Sequence, residues 1–154
     1  MTSQDATPAD REWMSLAVEL ARLCPPSEGA YSVGAVIVDE YGEEISRGYS
    51  REGDPHVHAE ESALGKLPDG DPRLPGATIY STLEPCSQRK SRPRTCTRLI
   101  LESGIRRVVT AWREPSLFVA DCQGCELLEQ AGVTVIELPE FADRATEPNR
   151  HLAL

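Results

Sequence analysis

Little in this 154-residue sequence points to a membrane or to export. No unbroken apolar run exceeds the four residues from Ala35 to Val38, far short of the ~20 needed to span a bilayer. The first ten residues lack both a basic start and an apolar stretch, so no secretory leader is expected there. Internal repeats, low-complexity tracts and a linker long enough to divide the chain are also missing. Positive charge is scarce: 16 Lys and Arg face 25 Asp and Glu, and the net charge of −9 repels a nucleic-acid backbone over most of the surface. The five cysteines are an odd count for a disulfide framework. In the cytoplasm, which is the default these absences leave, clustered cysteines suggest metal binding or catalysis more than cross-links. The 40% apolar and 27% charged composition is ordinary for a globular chain. The expectation is a single domain over residues 1–154, with 1–6 and about 140–154 as peripheral tails.

What is present reads as alternating elements. Thr7-Pro8-Ala9-Asp10 is a helix start, with a Thr cap, Pro in the first turn and an acid three residues after the cap. Trp13, Leu16, Ala17, Leu20 and Ala21 then recur at helical spacing until Pro25-Pro26. Val33 to Val38 is a buried strand, and Ile45 to Tyr49 returns as a hairpin after the Asp39-Glu40-Tyr41-Gly42 turn. A short helix is expected from His58 to about Lys66, a third strand over Thr78 to Leu83, and a helix from Cys96 to Ser103, capped by Thr95 and closed by Gly104. A fourth strand spans Arg107 to Trp112, a helix Cys125 to Gln130, and a fifth strand Val133 to Leu138; the stretch from Pro139 onward carries no clear signal. Strands alternating with helices after an opening hairpin imply a mixed sheet with helices on both faces, and a helix-bearing connection between strands four and five makes those two parallel.

The chemistry concentrates in His58-Ala59-Glu60, Glu84-Pro85-Cys86 and Cys96. One imidazole and two thiolates match a catalytic zinc site that keeps its fourth position open. Glu60, in the first turn of the His58 helix, can reach a water there without being a ligand. Both cysteines fall near the start of the Cys96 helix, whose positive end favours thiolate. H-x-E followed by P-C-x-x-C is the signature of zinc deaminases; here it reads H-A-E and P-C-x₉-C. Each half recurs by chance. Their order, the strand-sized gap and the position of each at a helix start carry the signal. Taken singly, a His at a helix start is more often a surface or capping residue, and a lone Cys a small buried hydrophobe. A structural zinc site would need a fourth ligand, which Cys122 or Cys125 could supply, but would leave Glu60 idle; the plainer reading makes that pair incidental. Cys24 is most simply core.

On these residues the chain resembles the cytidine deaminase-like superfamily over nearly its whole length. Within it, the chain is most similar to the deaminase domain of the bifunctional riboflavin-biosynthesis deaminase/reductase. The likeness rests on Val33-Gly34-Ala35-Val36-Ile37-Val38, on Pro55 through Glu60, on Thr82-Leu83-Glu84-Pro85-Cys86-Ser87, on Glu114 to Val135, and on the widened gap between Cys86 and Cys96. It implies a three-layer α/β/α sandwich with a five-stranded mixed sheet, one Zn2+ per chain, and a homodimer or homotetramer. It also implies that the Ala59 backbone contacts the substrate ring. Three departures accompany it. The riboflavin-type domain usually carries a Pro-Asn-Pro turn before its first strand, where this chain has Gly29-Ala30-Tyr31, and Ala30 lacks the amide that helps hold the sugar. The loop after Cys86 is unusually basic. No reductase domain is expected to follow. His58 through Leu64 is also similar to deoxycytidylate deaminases.

The expected reaction is hydrolytic deamination, with release of ammonia, of a small-molecule aminopyrimidine nucleotide or nucleoside, a riboflavin-pathway diaminopyrimidine being favoured over a cytidine or deoxycytidylate. Zinc supplies Lewis acidity that acidifies water. Glu60 takes the proton of the attacking water, gives it to the ring nitrogen and then protonates the leaving amine. Arg89, Lys90, Arg92, Arg94 and Arg98 crowd five basic residues into ten positions. Arg92 and Arg94, beside a metal ligand, are read as a phosphate clamp, against the bland reading of a solvated face. Trp112, at the carboxyl edge of the sheet, either stacks on the heterocycle or belongs to the core. Polynucleotide editing is disfavoured by the acidic surface, and a structural zinc module remains the non-enzymatic alternative.

Overall fold

A computed structural model describes residues 6–87, 94–113 and 123–152. Helix α1 (Pro8–Ala21) starts at a reciprocal cap, in which the Thr7 hydroxyl accepts the Asp10 N–H at 3.1 Å and the Asp10 carboxylate accepts the Thr7 N–H at 2.9 Å. The hairpin β1 (Gly34–Val38) and β2 (Glu44–Tyr49) follows, then α2 (Ala59–Gly65), β3 (Thr78–Leu83), α3 (Cys96–Ser103), β4 (Arg107–Trp112), α4 (Gly124–Gln130), β5 (Thr134–Glu137) and α5 (Ala142–Thr146). The five strands form one sheet in the order β2-β1-β3-β4-β5. β1 pairs antiparallel with β2 and β3, whereas β3, β4 and β5 run parallel. Each parallel step carries a helix in its connection, as crossover geometry requires.

Two apolar layers sandwich the sheet, and strand alternation assigns residues to them. Ala35, Ile37, Ile79 and Val108 face the side covered by α2, α3 and α4, with Ala63, Ile100 and Leu128 from those helices. Val36, Val38, Tyr80 and Val109 face α1 and α5, meeting Met14, Ala17, Val18 and Ala145. This is the three-layer α/β/α arrangement with a mixed sheet. Among the described residues no helix is long and apolar enough to cross a membrane.

The carboxyl-terminal segment departs from its expected peripheral place. Residues 139–152 form helical turns around α5. Phe141 and Ala145 join the α1 layer, Leu152 joins the opposite layer, and Asn149 is fully buried. Its four apolar and small residues are spread too irregularly to give a periodic pattern, so the packing was invisible before the fold. α4 also begins one residue before the expected Cys125, at Gly124.

Candidate metal centre

The parallel strands end on one edge of the sheet, and the candidate residues gather there. His58, in extended backbone with ψ 161°, precedes α2, and its N–H donates to Glu61 Oε1 at 3.2 Å. β2 holds α2 close because Gly48 has no side chain: a Cβ there would lie 2.7 Å from the Ala59 carbonyl oxygen and 2.7 Å from the Ala63 nitrogen. Cys86 follows β3, and Cys96 opens α3 behind the Thr95 cap, whose hydroxyl accepts the Arg98 N–H at 3.1 Å. His58 Nδ1 lies 3.6 Å from Cys86 Sγ and 3.3 Å from Cys96 Sγ, and the Cys96 N–H donates to Cys86 Sγ at 3.2 Å. A tetrahedral zinc ion with bonds of about 2.0–2.3 Å sets its ligands about 3.3–3.8 Å apart, so this set fits one. The Cys96 thiol first, then the His58 imidazole and the Cys96 N–H, outweigh burial and hold the Cys86 thiol well below the usual thiol range.

Among the described residues, the only group of three or more His, Cys, Asp or Glu side chains gathered closely enough to hold a metal ion is His58, Cys86 and Cys96. Cys125 lies outside it, fully buried, and burial pushes its thiol upward, away from the thiolate a metal needs. Cys122 lies outside the described residues. The described donor set is therefore one imidazole and two sulfurs, with a coordination position left over.

Glu60 is 4% exposed on the first turn of α2. The Ser81 hydroxyl lies 3.1 Å from its Oε2 and 2.9 Å from the Leu83 carbonyl. Burial, together with the neighbouring Cys86 thiolate, raises the Glu60 carboxyl above its ordinary range. A buried carboxyl raised in this way is suited to exchanging a proton with a neighbouring group. Ser81 escaped the sequence reading, although a lone hydroxyl on the α2-facing side of an apolar strand is the kind of signal that betrays such a contact.

The remaining candidates divide. Ala59 is buried between His58 and Glu60. Trp112 ends β4 beside the metal-binding loop, its carbonyl accepting the Glu84 N–H at 2.9 Å. It is only partly buried, and its ring meets Tyr31 edge-on, with centroids 5.8 Å apart and planes at 85°. Tyr31, another residue missed in the sequence, belongs to a segment held from two sides. The Arg51 guanidinium donates to the Pro25 and Tyr31 carbonyls at 2.7 and 3.1 Å, and Asn149 pairs with both the N–H and C=O of Ser32 at 2.6 and 3.1 Å. Arg94 is directed along α3, donating to Glu102 at 2.9 Å, as does Arg98 at 2.9 Å. Arg92, with Arg89 and Lys90, lies outside the described residues.

A mixed-sheet α/β/α chain with a His-Cys-Cys centre and a buried carboxylate beside it belongs to a narrow class of metalloproteins. Residues 7–112 match the model of the cytidine and deoxycytidylate deaminase zinc-binding region, and the chain belongs to that family. Zinc is accordingly its metal. The chain is 45% identical over 134 residues to a diaminohydroxyphosphoribosylamino-pyrimidine deaminase of Schizosaccharomyces pombe, covering 86% of this chain and 33% of that protein. It is 39% identical over 132 residues to riboflavin biosynthesis protein RibD of Aquifex aeolicus, covering 82% of this chain and 34% of the relative. The chain thus spans about a third of the length of these relatives. A solved diaminohydroxyphosphoribosylaminopyrimidine deaminase/5-amino-6-(5-phosphoribosylamino)uracil reductase from Thermotoga maritima superposes with a TM-score of 0.73 at 31% identity, over 94% of this chain and 40% of that one. The Rib2 deaminase of Aspergillus oryzae shares the fold over 94% of this chain and 96% of its own, with a TM-score of 0.73 at 23% identity.

Proposed function

We propose that this chain is a zinc-dependent hydrolytic deaminase of a small aminopyrimidine nucleotide, with a riboflavin-pathway diaminopyrimidine as its substrate class. The observation that carries the reading is the buried Glu60 carboxyl beside the His58-Cys86-Cys96 donor set. A structural zinc site would call for a fourth protein ligand, which no described residue supplies, and would leave the acid without a role. The likeness to named diaminopyrimidine deaminases supplies the substrate class.

Bound zinc supplies Lewis acidity that brings the pKa of water toward neutrality. Glu60 accepts a proton from the attacking water and delivers it to the ring nitrogen next to the amino-bearing carbon. Oxygen bonds to that carbon, Glu60 takes the remaining proton of the added hydroxyl and passes it to the amine, and the C–N bond breaks as the C=O forms, releasing ammonia. The Ser81 hydroxyl steadies the carboxyl through these exchanges. Ala59 presents backbone to the ring, Trp112 forms a wall for the heterocycle, and Arg92 and Arg94 take the substrate phosphate, Arg94 exchanging its Glu102 partner for it. The protein acts in the cytoplasm as one domain, and as a homodimer or homotetramer.

A cytosine-type substrate is the second reading. It is favoured by Ala30 at the position of the family's sugar-binding Asn, and by 30% identity over 111 residues to a probable cytosine deaminase of Schizosaccharomyces pombe. An ammonia-release panel of aminopyrimidine bases, nucleosides and nucleotides, each phosphorylated substrate beside its dephospho analogue, separates the two. The proposal expects turnover of the phosphorylated diaminopyrimidine with the lowest KM. Turnover confined to cytosine compounds would replace it with the second reading, and no turnover at all would reject the enzyme.

A further inference from the structure

The two segments that frame the metal-binding loop are joined rung by rung. Glu84, 2% exposed, accepts the Cys125 N–H on Oε2 at 2.9 Å. One step on, a Cβ at Gly124 would overlap the Pro85 carbonyl oxygen, so only glycine lets the two backbones approach this closely. At the next rung the Gln123 N–H donates to Ser87 Oγ at 3.0 Å. On the other side of the same loop, Thr97 donates its N–H to the Cys86 carbonyl at 3.1 Å and its hydroxyl to the Pro85 carbonyl at 3.3 Å. Cys86 is therefore held between α3, which carries its fellow ligand Cys96, and residues 123–125. The latter lie beyond the residues 7–112 that match the family model.

We propose that residues 123–125 form the rear support of the metal centre, and that Glu84 and Gly124 are positioning residues that aim Cys86 at the metal. Arg113 extends the support, bonding to Glu126 at 2.9 Å and Glu137 at 2.5 Å and lying 3.8 Å from Glu84, so α4, β5 and the metal-binding loop share one charged brace. A cysteine fixed in advance binds a metal more tightly than one that must be ordered by it.

The inference rests on the zinc site described above, and zinc affinity tests it without recourse to turnover. Competition of the purified chain against a chromophoric chelator should show Glu84→Ala weakened about 10–100-fold, the usual cost of losing an outer support of a metal ligand. Glu84→Gln should recover most of it, because an amide oxygen still accepts the Cys125 N–H. Gly124→Ala should show a comparable loss, while Val109→Ala, a core truncation on the opposite face of the sheet, should not change affinity. Wild-type affinity in a folded Glu84→Ala protein would overturn the proposal, and so would an equal loss in Val109→Ala. Should Glu84→Ala fail to fold, Gly124→Ala and Ser87→Ala decide by the same criterion. If Cys86→Ser itself retained wild-type affinity, the zinc assignment would fall. If Cys86→Ser lost zinc while the supporting variants kept it, only this inference would fall.

Discussion

The two ends of the sheet each bury a carboxylate and treat it in opposite ways. At the end away from the metal, Asp10 is 1% exposed, yet every oxygen is engaged. Arg107 donates to both oxygens at 2.7 and 2.6 Å, the Tyr80 hydroxyl donates at 2.7 Å and the Thr7 N–H at 2.9 Å. Burial by itself would raise the Asp10 pKa, but these partners hold it at about 2. At the other end Glu60 is as deeply buried, has no guanidinium partner among the described residues, and is raised instead. Where an ion pair fastens α1 to β3 and β4, the fold keeps its buried acid ionised; where the buried acid bonds a neutral hydroxyl, Ser81, beside the Cys86 thiolate, the fold favours the protonated form.

Three changes test the comparison, in falling order of effect. Glu60→Gln should lower kcat by about 10²–10⁴-fold or more, measured as ammonia release. Because the folded-state pKa of Glu60 is raised, its ionisation costs zinc-free protein stability as pH rises through that pKa. The Gln variant should therefore melt no lower than wild type at pH 7, and lose that advantage in acid. Asp10→Asn should do the reverse. Leaving Arg107 without its counter-charge should cost about 3 kcal/mol by denaturant melts, with zinc affinity and KM unchanged. The Asp10 pKa is depressed, so its stabilisation is complete above the unfolded value of 3.8 and disappears as pH falls through about 2. Acid titration should accordingly remove roughly 2 kcal/mol from wild type that the variant never had. The smallest effect belongs to Asn149→Leu, which frees the Ser32 backbone and the segment carrying Tyr31. Because this segment includes Ala30, at the place of the family's sugar-binding turn, KM should rise about fivefold, equivalent to ~1 kcal/mol, with kcat and zinc affinity unmoved; a fall in kcat alone would count against a substrate-holding role for the segment.

The legible and illegible parts of the molecule also divide along physical lines. β1, β3, β4 and β5 announced themselves as short apolar runs bounded by turn residues, β2 as the return of a hairpin, and α1 and α3 through the strong caps Thr7 and Thr95. His58, Glu60, Cys86 and Cys96 were readable as a set because metal chemistry restricts ligand type and spacing. Ser81, Tyr31, Arg51 and Asn149 were not, since each acts through a contact formed only when distant segments meet. Asn149 and Ser32, for instance, are 117 residues apart. Gly124 was hidden for a different reason: its role is a close approach to Pro85, and a glycine near a helix start has many ordinary explanations. The basic loop stands between these cases. Its composition was conspicuous, but Arg94 and Arg98 share Glu102, Arg98 from one turn away on α3 and Arg94 from the segment before that helix.

The most direct test of the central claim measures zinc content and ammonia release on the same samples of wild type and Glu60→Gln. Both proteins should carry one zinc per chain, and only the wild type should release ammonia from a phosphorylated diaminopyrimidine. Near-normal ammonia release by zinc-loaded Glu60→Gln would contradict that claim.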